Sequence, residues 1–455
     1  MHGVPQLAST SSLARRVAYV IVVLSSLAFL VFHLSASVIE FRRFDSYVNT
    51  QTELRDDVIM PSVTICSYAL HTRSAFARHF PNISQDLFVD TFTFPVLFMD
   101  NQLYEAVSEY EDQSFEEYRE APVRDLMQEL RPKLEDIFIY CALHLTIINC
   151  SDYITSFHTD YGLCHIVHSL QYTRKHHLLR SSAPDQKSGF RFLLDANPDD
   201  YLYTQQYGVG FLVHVADVEQ YPQTDAESLH VGVGQSVNVA FRKEIHKVLR
   251  HPYSTQDCAE SQQEGEYDSR LANDYPYSKK ACNYQCIEVV FYELYGCRYN
   301  FGPDSGWCTS EQLSEALLSE QYRSEFNSCT TNCKRRCEFV KYASTVTTAT
   351  FPNPLTVEFA NKSGFPVKTE EEMRRRMLEL NIYPQTLEHT IVTQQPRYHP
   401  FDIFSNIGGL MGLCLGISLV TLVEFLEVTV ACVLRLARKK SSTQVEAFVA
   451  SDDKH

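Results

Sequence analysis

Basic residues are in deficit: 40 Lys+Arg stand against 56 Asp+Glu, a net charge of −16. That excludes a nucleic-acid binder, which needs a basic face to displace phosphate counterions. No nucleophile elbow, phosphate-cradling loop or zinc-ligand spacing occurs, and the 17 histidines form no ligand pattern, so an enzyme is disfavoured. Internal repeats and long low-complexity runs are missing too, and tryptophan occurs once, at Trp307. With charged residues at 21% and aromatics at 12%, the chain is neither disordered nor collagen-like. Its 455 residues suffice for a substantial core. A mean hydropathy of −0.21 suggests a soluble protein. Two segments overturn that mean.

Val17 to Ile39 is free of charge and long enough to cross the roughly 30 Å of bilayer hydrocarbon. Arg15 and Arg16 precede it and place the N-terminus in the cytoplasm. A cleaved signal peptide is the rival reading, because Ser35-Ala36-Ser37 resembles a small-residue cleavage site. The second segment, Ile403 to Leu434, is interrupted only by Glu424 and Glu427 and is followed by Arg435, Arg438, Lys439 and Lys440. That basic cluster puts the C-terminus inside as well. The expected order is a cytoplasmic N-terminus (1–16), a first span (17–39), an extracellular domain (40–402), a second span (403–434) and a cytoplasmic tail (435–455).

The large loop carries the acidic excess and all three glycosylation sequons, at Asn82, Asn149 and Asn361. Of the 14 cysteines, only Cys414 and Cys432 lie in the second segment; the other twelve suit disulfide pairing in an oxidising compartment. Eight of them crowd between Cys258 and Cys337. Met60 to Cys66 reads as a buried strand bounded by proline, and strand-like runs recur at Phe190–Leu194, Val209–Val215, Ser236–Phe241 and Val289–Tyr295. Residues 101–140 are acidic with apolar residues at helical spacing (Leu126, Leu130, Leu134). Glu370 to Leu380 is a charged helix candidate, and Thr390–Gln394 leads back to the membrane. The expected fold class is a membrane α+β protein: two transmembrane helices carrying a disulfide-rich α+β extracellular domain.

These residues resemble the degenerin/epithelial sodium channel family, which includes acid-sensing and peptide-gated channels. His2-Gly3 before Ser11-Ser-Leu-Ala-Arg-Arg is similar to its cytoplasmic His-Gly element, and Pro61-Ser-Val-Thr-Ile-Cys66 to the strand after its first span. Asp160-Tyr-Gly-Leu-Cys164, Leu194-Asp195 with Tyr201, Tyr277-Ser278 with Cys282 and Cys286, and Ile407 through Ser418 match later blocks in order. The resemblance implies a trimer, homomeric or heteromeric, in the plasma membrane, with sodium as permeant ion and no cofactor. It also implies six pairs: Cys66–Cys164, Cys141–Cys150, Cys258–Cys337, Cys282–Cys333, Cys286–Cys329 and Cys297–Cys308. A further pair found in many relatives falls here on Tyr295 and Ala316.

Gly408, Gly412 and Gly416 are four apart in the second segment, which by itself allows close helix packing. A pore needs polar backbone or hydroxyls at membrane depth, and Gly416-Ile417-Ser418 can supply them. By resemblance this tripeptide is the selectivity filter, with a bulkier central residue than usual. Glu424 either lines the pore, concentrating cations, or sits at the inner interface beside Arg435. By position Ser405 matches the site where bulk holds relatives open, Gly412 the amiloride contact, and His2-Gly3 a re-entrant loop of the inner vestibule. Tyr47 and Tyr253 match aromatics that couple the extracellular domain to the first span. The expected gate is an extracellular ligand, peptide or proton, with constitutive opening as the alternative. The acidic run from Glu105 to Glu120 can share protons or be a solvated helix face. An ATP-gated two-span channel and a non-conducting receptor or adhesion ectodomain are the competing functions.

Overall fold

The computed structural model describes residues 13–90, 115–159, 161–204, 206–222, 227–254, 257–259, 267–268, 270, 274–299, 306–363, 369–416, 426 and 429–430. The chain divides into two compact units, Met1–Tyr47 with Gln395–His455, and Val48–Gln394.

The larger unit is built on two sheets. Seven strands form the first: β1 (Ser46–Leu54), β3 (Phe138–Leu143), β4 (Thr146–Ile148), β7 (Phe190–Asp195), β10 (Gln235–Lys247), β11 (Glu338–Thr350) and β12 (Met377–Pro396), in the order β11-β10-β12-β7-β3-β4 with β1 also on β12. β10 and β12 run parallel, with Val237 opposite Leu380 and Val239 opposite Ile382. On the other side β7 runs antiparallel to β12, setting Phe192 against Leu380 and Phe190 against Ile382. The second sheet has five antiparallel strands: β2 (Ser62–Ser67), β5 (Ile154–Thr159), β6 (Gly162–Val167), β8 (Gly210–Ala216) and β9 (Leu229–Gly232), ordered β9-β8-β2-β6-β5. Strand side chains alternate between faces. Phe190, Phe192 and Leu194 therefore point the same way and share one core with Val237, Val239, Phe241, Val63, Ile65, Phe211 and Val213.

The expected buried strand is β2, whose six residues are all buried. Three expectations need correction. Val289–Tyr295 is not a strand but the end of helix Lys279–Tyr295, labelled α1 here. Ser278 caps its start by accepting the Ala281 N–H, and Gly296 at φ 66° closes its end. Cys282 and Cys286, one turn apart, tie the helix to Cys333 and Cys329. These caps and bonds override the β-branched and aromatic composition. The 101–140 helix exists only in pieces, Glu116–Glu120, Val123–Glu129 and Leu134–Ile137, because Pro122 and Pro132 interrupt it; residues 101–114 lie outside the described residues. The Glu370 helix ends at Arg376, where the main chain turns into β12 and Asp195 faces Met377 across the sheet.

In the smaller unit, helix Leu13–Arg42 spans 30 residues and contains an 18-residue stretch of mean hydropathy 2.4, and among the described residues it alone is long and apolar enough to cross a membrane. It packs against helix Pro400–Leu415. Most of the rest of the expected second span lies outside the described residues.

Candidate pore segment and coupling elements

Helix Pro400–Leu415 starts cleanly because Pro400 occupies its first turn and the His399 N–H donates to the Asp402 carboxylate at 2.7 Å. It stops at Gly416, which adopts φ 66°, ψ 25° and returns its N–H to the Gly412 carbonyl at 3.0 Å. Only glycine takes that left-handed conformation at little cost. The helix therefore breaks at the first residue of Gly416-Ile417-Ser418. Ser405, Gly408, Gly409 and Gly412 are exposed, and a β-carbon built on Gly408 or Gly409 meets nothing within 4 Å. Ile417, Ser418, Glu424, His2 and Gly3 lie outside the described residues.

Within the smaller unit the flanks of the two helices are cross-linked. The Tyr398 hydroxyl donates to Glu40 Oε2 at 2.8 Å, the Arg397 N–H to the Asp45 carbonyl at 2.8 Å, and the Tyr47 hydroxyl to Gln395 Oε1 at 2.7 Å. The Glu40 carboxylate pushes the Tyr398 phenol above its ordinary range. Tyr47 thus finds its partner within its own unit. Tyr253 belongs to the other unit and donates its N–H to the Arg250 carbonyl at 3.0 Å. The sequence pattern points to Tyr47 but not to Tyr398, Glu40 or Gln395; their polarity beside the expected spans is the available signal.

Six disulfides close the larger unit: Cys66–Cys164, Cys141–Cys150, Cys258–Cys337, Cys282–Cys333, Cys286–Cys329 and Cys297–Cys308. They are the pairs implied by the resemblance. Cys414 is a free thiol. Tyr295 and Ala316, at the positions of the missing pair, belong to one apolar cluster around Phe291 and Tyr322. Asn82, Asn149 and Asn361 are all exposed.

Several histidines are sealed inside. His71 is bonded to the Tyr118 hydroxyl at 2.9 Å, and burial pulls its pKa down to about 3. Burial likewise lowers His158 and His165 to about 4. Each is neutral in the folded state and gains a proton more easily when unfolded, so its contribution to stability is complete above pH 6.5 and is lost as pH falls from there through about 4. Thermal unfolding of the full chain should hold steady above pH 6.5 and weaken progressively below it. His165→Gln should flatten that acid limb; an unchanged slope would count against the assignment.

The described residues thus show one apolar helix, a later helix that stops at glycine and, between them in the chain, a disulfide-rich α+β unit. The family model described as amiloride-sensitive sodium channel matches residues 1–428, and the chain belongs to that family. The family consists of ion channels, not enzymes. Among curated relatives, the chain is similar to the epithelial sodium channel subunit beta of Neoceratodus forsteri, 21% identical over 318 residues, covering 66% of this chain and 47% of that subunit. It is 23% identical to acid-sensing ion channel 2 of Danio rerio over 425 residues, covering 89% and 76%. It is 21% identical to the bile acid-sensitive ion channel of Rattus norvegicus over 453 residues, covering 94% and 84%. The chain thus spans about half the length of the first of these. A solved proton-activated chloride channel superposes at a TM-score of 0.33 with 6% identity, covering 91% of this chain and 97% of its own, too loosely to bear on function.

Proposed function

We propose that this chain is a subunit of a trimeric, sodium- or cation-selective, amiloride-sensitive channel of the plasma membrane, gated by an extracellular ligand, with two spans and both termini cytoplasmic. The observation that carries the reading is the stop of helix Pro400–Leu415 at Gly416. Non-helical backbone at membrane depth is tolerated only where it lines protein or water, and a chain released from helical bonding can turn its carbonyls to an ion. Gly416, Ile417 and Ser418 form the filter, Glu424 concentrates cations at the inner mouth, and His2-Gly3 lines the vestibule. The exposed face of Ser405, Gly408 and Gly412 meets the other subunits, which are copies of this chain or related ones, and Gly412 contacts the blocker. Tyr47 and Tyr253 relay motion of the extracellular unit. The buried histidines, with pKa values of about 3 to 4, stay neutral through mild acid. A peptide or comparable ligand is therefore favoured over those imidazoles as the trigger.

The test is Ser405→Phe expressed in oocytes under voltage clamp, with surface biotinylation alongside. A clash of about 1–3 kcal/mol confined to the closed crossing should raise the open-to-closed ratio roughly 5- to 150-fold. The expected current is blocked by amiloride and reverses with the sodium gradient. Surface-expressed protein that stays silent, alone and with related subunits, would refute the pore assignment.

A further inference from the structure

Helix Leu13–Arg42 and helix Pro400–Leu415 pack against each other with little burial. Among the described residues, Leu30 is the single buried side chain of the first helix, and the second helix has none. Phe401 and Phe404 are 76% and 71% exposed, and a β-carbon added at Gly408 or Gly409 would meet nothing within 4 Å. Apolar contact of this kind is non-directional, so it fixes neither the separation nor the register of the pair.

Direction comes from polar bonds, and these gather at one end. The Arg397 N–H donates to the Asp45 carbonyl at 2.8 Å, and the Tyr47 hydroxyl backs that bond by donating to Gln395 Oε1 at 2.7 Å. Between Asp45 and the first helix the chain reverses. The Arg43 N–H returns to the Glu40 carbonyl at 3.2 Å, the Phe44 N–H to the Phe41 carbonyl at 3.1 Å, and Phe44 takes a left-handed φ of 53°. Beside this turn the Glu40 carboxylate meets Tyr398, whose hydroxyl donates to Oε2 at 2.8 Å while the Arg397 guanidinium lies over its ring, 5.8 Å from the centre. Among the described residues this is the one hydrogen bond between helix Leu13–Arg42 and residues 398–416, and no ion pair joins them.

The two kinds of bond differ in how easily they let go. The Arg397–Asp45 bond is part of the main chain and is backed by a second bond one residue pair away. The Tyr398–Glu40 bond is exposed, so water can replace either partner and the bond breaks and reforms at low cost. We propose that Tyr398 and Glu40 form a releasable tie that sets the separation of the two helices, with Arg397–Asp45 as the fixed point about which helix Pro400–Leu415 swings when the tie opens. On the channel reading given above, that swing is a step of gating, and Tyr398 and Glu40 are positioning residues for the pore helix.

The tie is read without current, so its fate is separable from that of the channel reading. Full-length protein carrying Cys414→Ser and Cys432→Ser receives nitroxides at Val38→Cys and Phe401→Cys, both exposed, and is assembled in nanodiscs with an excess of unlabelled chain of the same sequence. Dipolar broadening between the nitroxides then reports the separation within one subunit. Tyr398→Phe, which removes only the donor, should relieve that broadening. Glu40→Gln keeps an acceptor and should relieve it less, and the two together should do no more than Tyr398→Phe alone, because both act on one bond. Broadening absent from the parent, unchanged in Tyr398→Phe, or lost additively in the double variant overturns the tie. Added to the Ser405→Phe protein in oocytes, Tyr398→Phe should shift the amiloride-blocked current at equal surface density about threefold to tenfold, the weight of one hydrogen bond. An unshifted current removes the gating role. Silence of the Ser405→Phe protein itself counts against the pore assignment, and the nitroxides still decide the tie.

Discussion

Replacing Cys66 and Cys164 together by alanine is expected to cost the larger unit about 4–5 kcal/mol, close to the whole stability of many domains. The two cysteines are 98 residues apart in sequence and fully buried. They lie on neighbouring strands, since Ile65 of β2 pairs with His165 of β6, which sets Cys66 opposite Cys164. The bond therefore removes the entropy of a very long loop from the unfolded chain while pinning the middle of the five-stranded sheet. Cys141–Cys150 closes a separation of only 9, and its loss should cost about 3 kcal/mol or less. Surface biotinylation of the two paired variants gives the comparison. The long bridge's removal should abolish surface delivery, whereas the short one's should reduce it; equal losses would show that loop length is not the governing term.

Arg376→Ala should destabilise the same unit by about 3–5 kcal/mol, because it strands a buried carboxylate. The Asp195 side chain is 4% exposed and receives Arg376 Nε at 3.2 Å, Nη2 at 2.6 Å and the Asn197 N–H at 2.9 Å. The main chain repeats the link, the Ala196 N–H donating to the Arg376 carbonyl at 2.8 Å. The pair thus fixes the point where the Glu370 helix becomes β12. Adding Asp195→Asn removes the orphaned charge while leaving an acceptor for Asn197. Chemical unfolding should then show the Arg376→Ala, Asp195→Asn protein to be more stable than Arg376→Ala alone. A double variant as weak as the single one would mean that the guanidinium acts through packing.

Strands with alternating or continuous apolar runs could be read directly from the chain: β2, β7 and β8 fall where the β-branched and aromatic residues announce them. The cysteine set also carried enough order to imply its pairing once the resemblance was seen. What escaped was decided by partners remote in sequence. Val289–Tyr295 has strand composition, yet Ser278, Gly296 and two cysteine bonds make it helical. The 20-residue β12 is polar over much of its second half, and the strands that flank that half, β10 running parallel and β1, explain its length. The burial of Arg131 was invisible for a related reason. Arg131-Pro132-Lys133 reads as surface until Gly162 admits the guanidinium to the Tyr161 and Leu163 carbonyls on either side. The expected pore residues Ile417, Ser418 and Glu424 lie outside the described residues.

The antiparallel approach of β1 to β12 has a further consequence. Tyr47 meets Gln395, and eight residues on, the Arg55 N–H meets the Leu387 carbonyl at 3.3 Å. The chain therefore enters and leaves the larger unit at the same spot, and a cut after Tyr47 and before Gln395 frees two ends that already lie side by side. A linker of about two to five residues, the length of an ordinary hairpin loop, is enough to join them. Domains with neighbouring termini can be excised, permuted or transplanted with little disturbance. The larger unit is in this sense a cassette, open to production on its own for ligand screening.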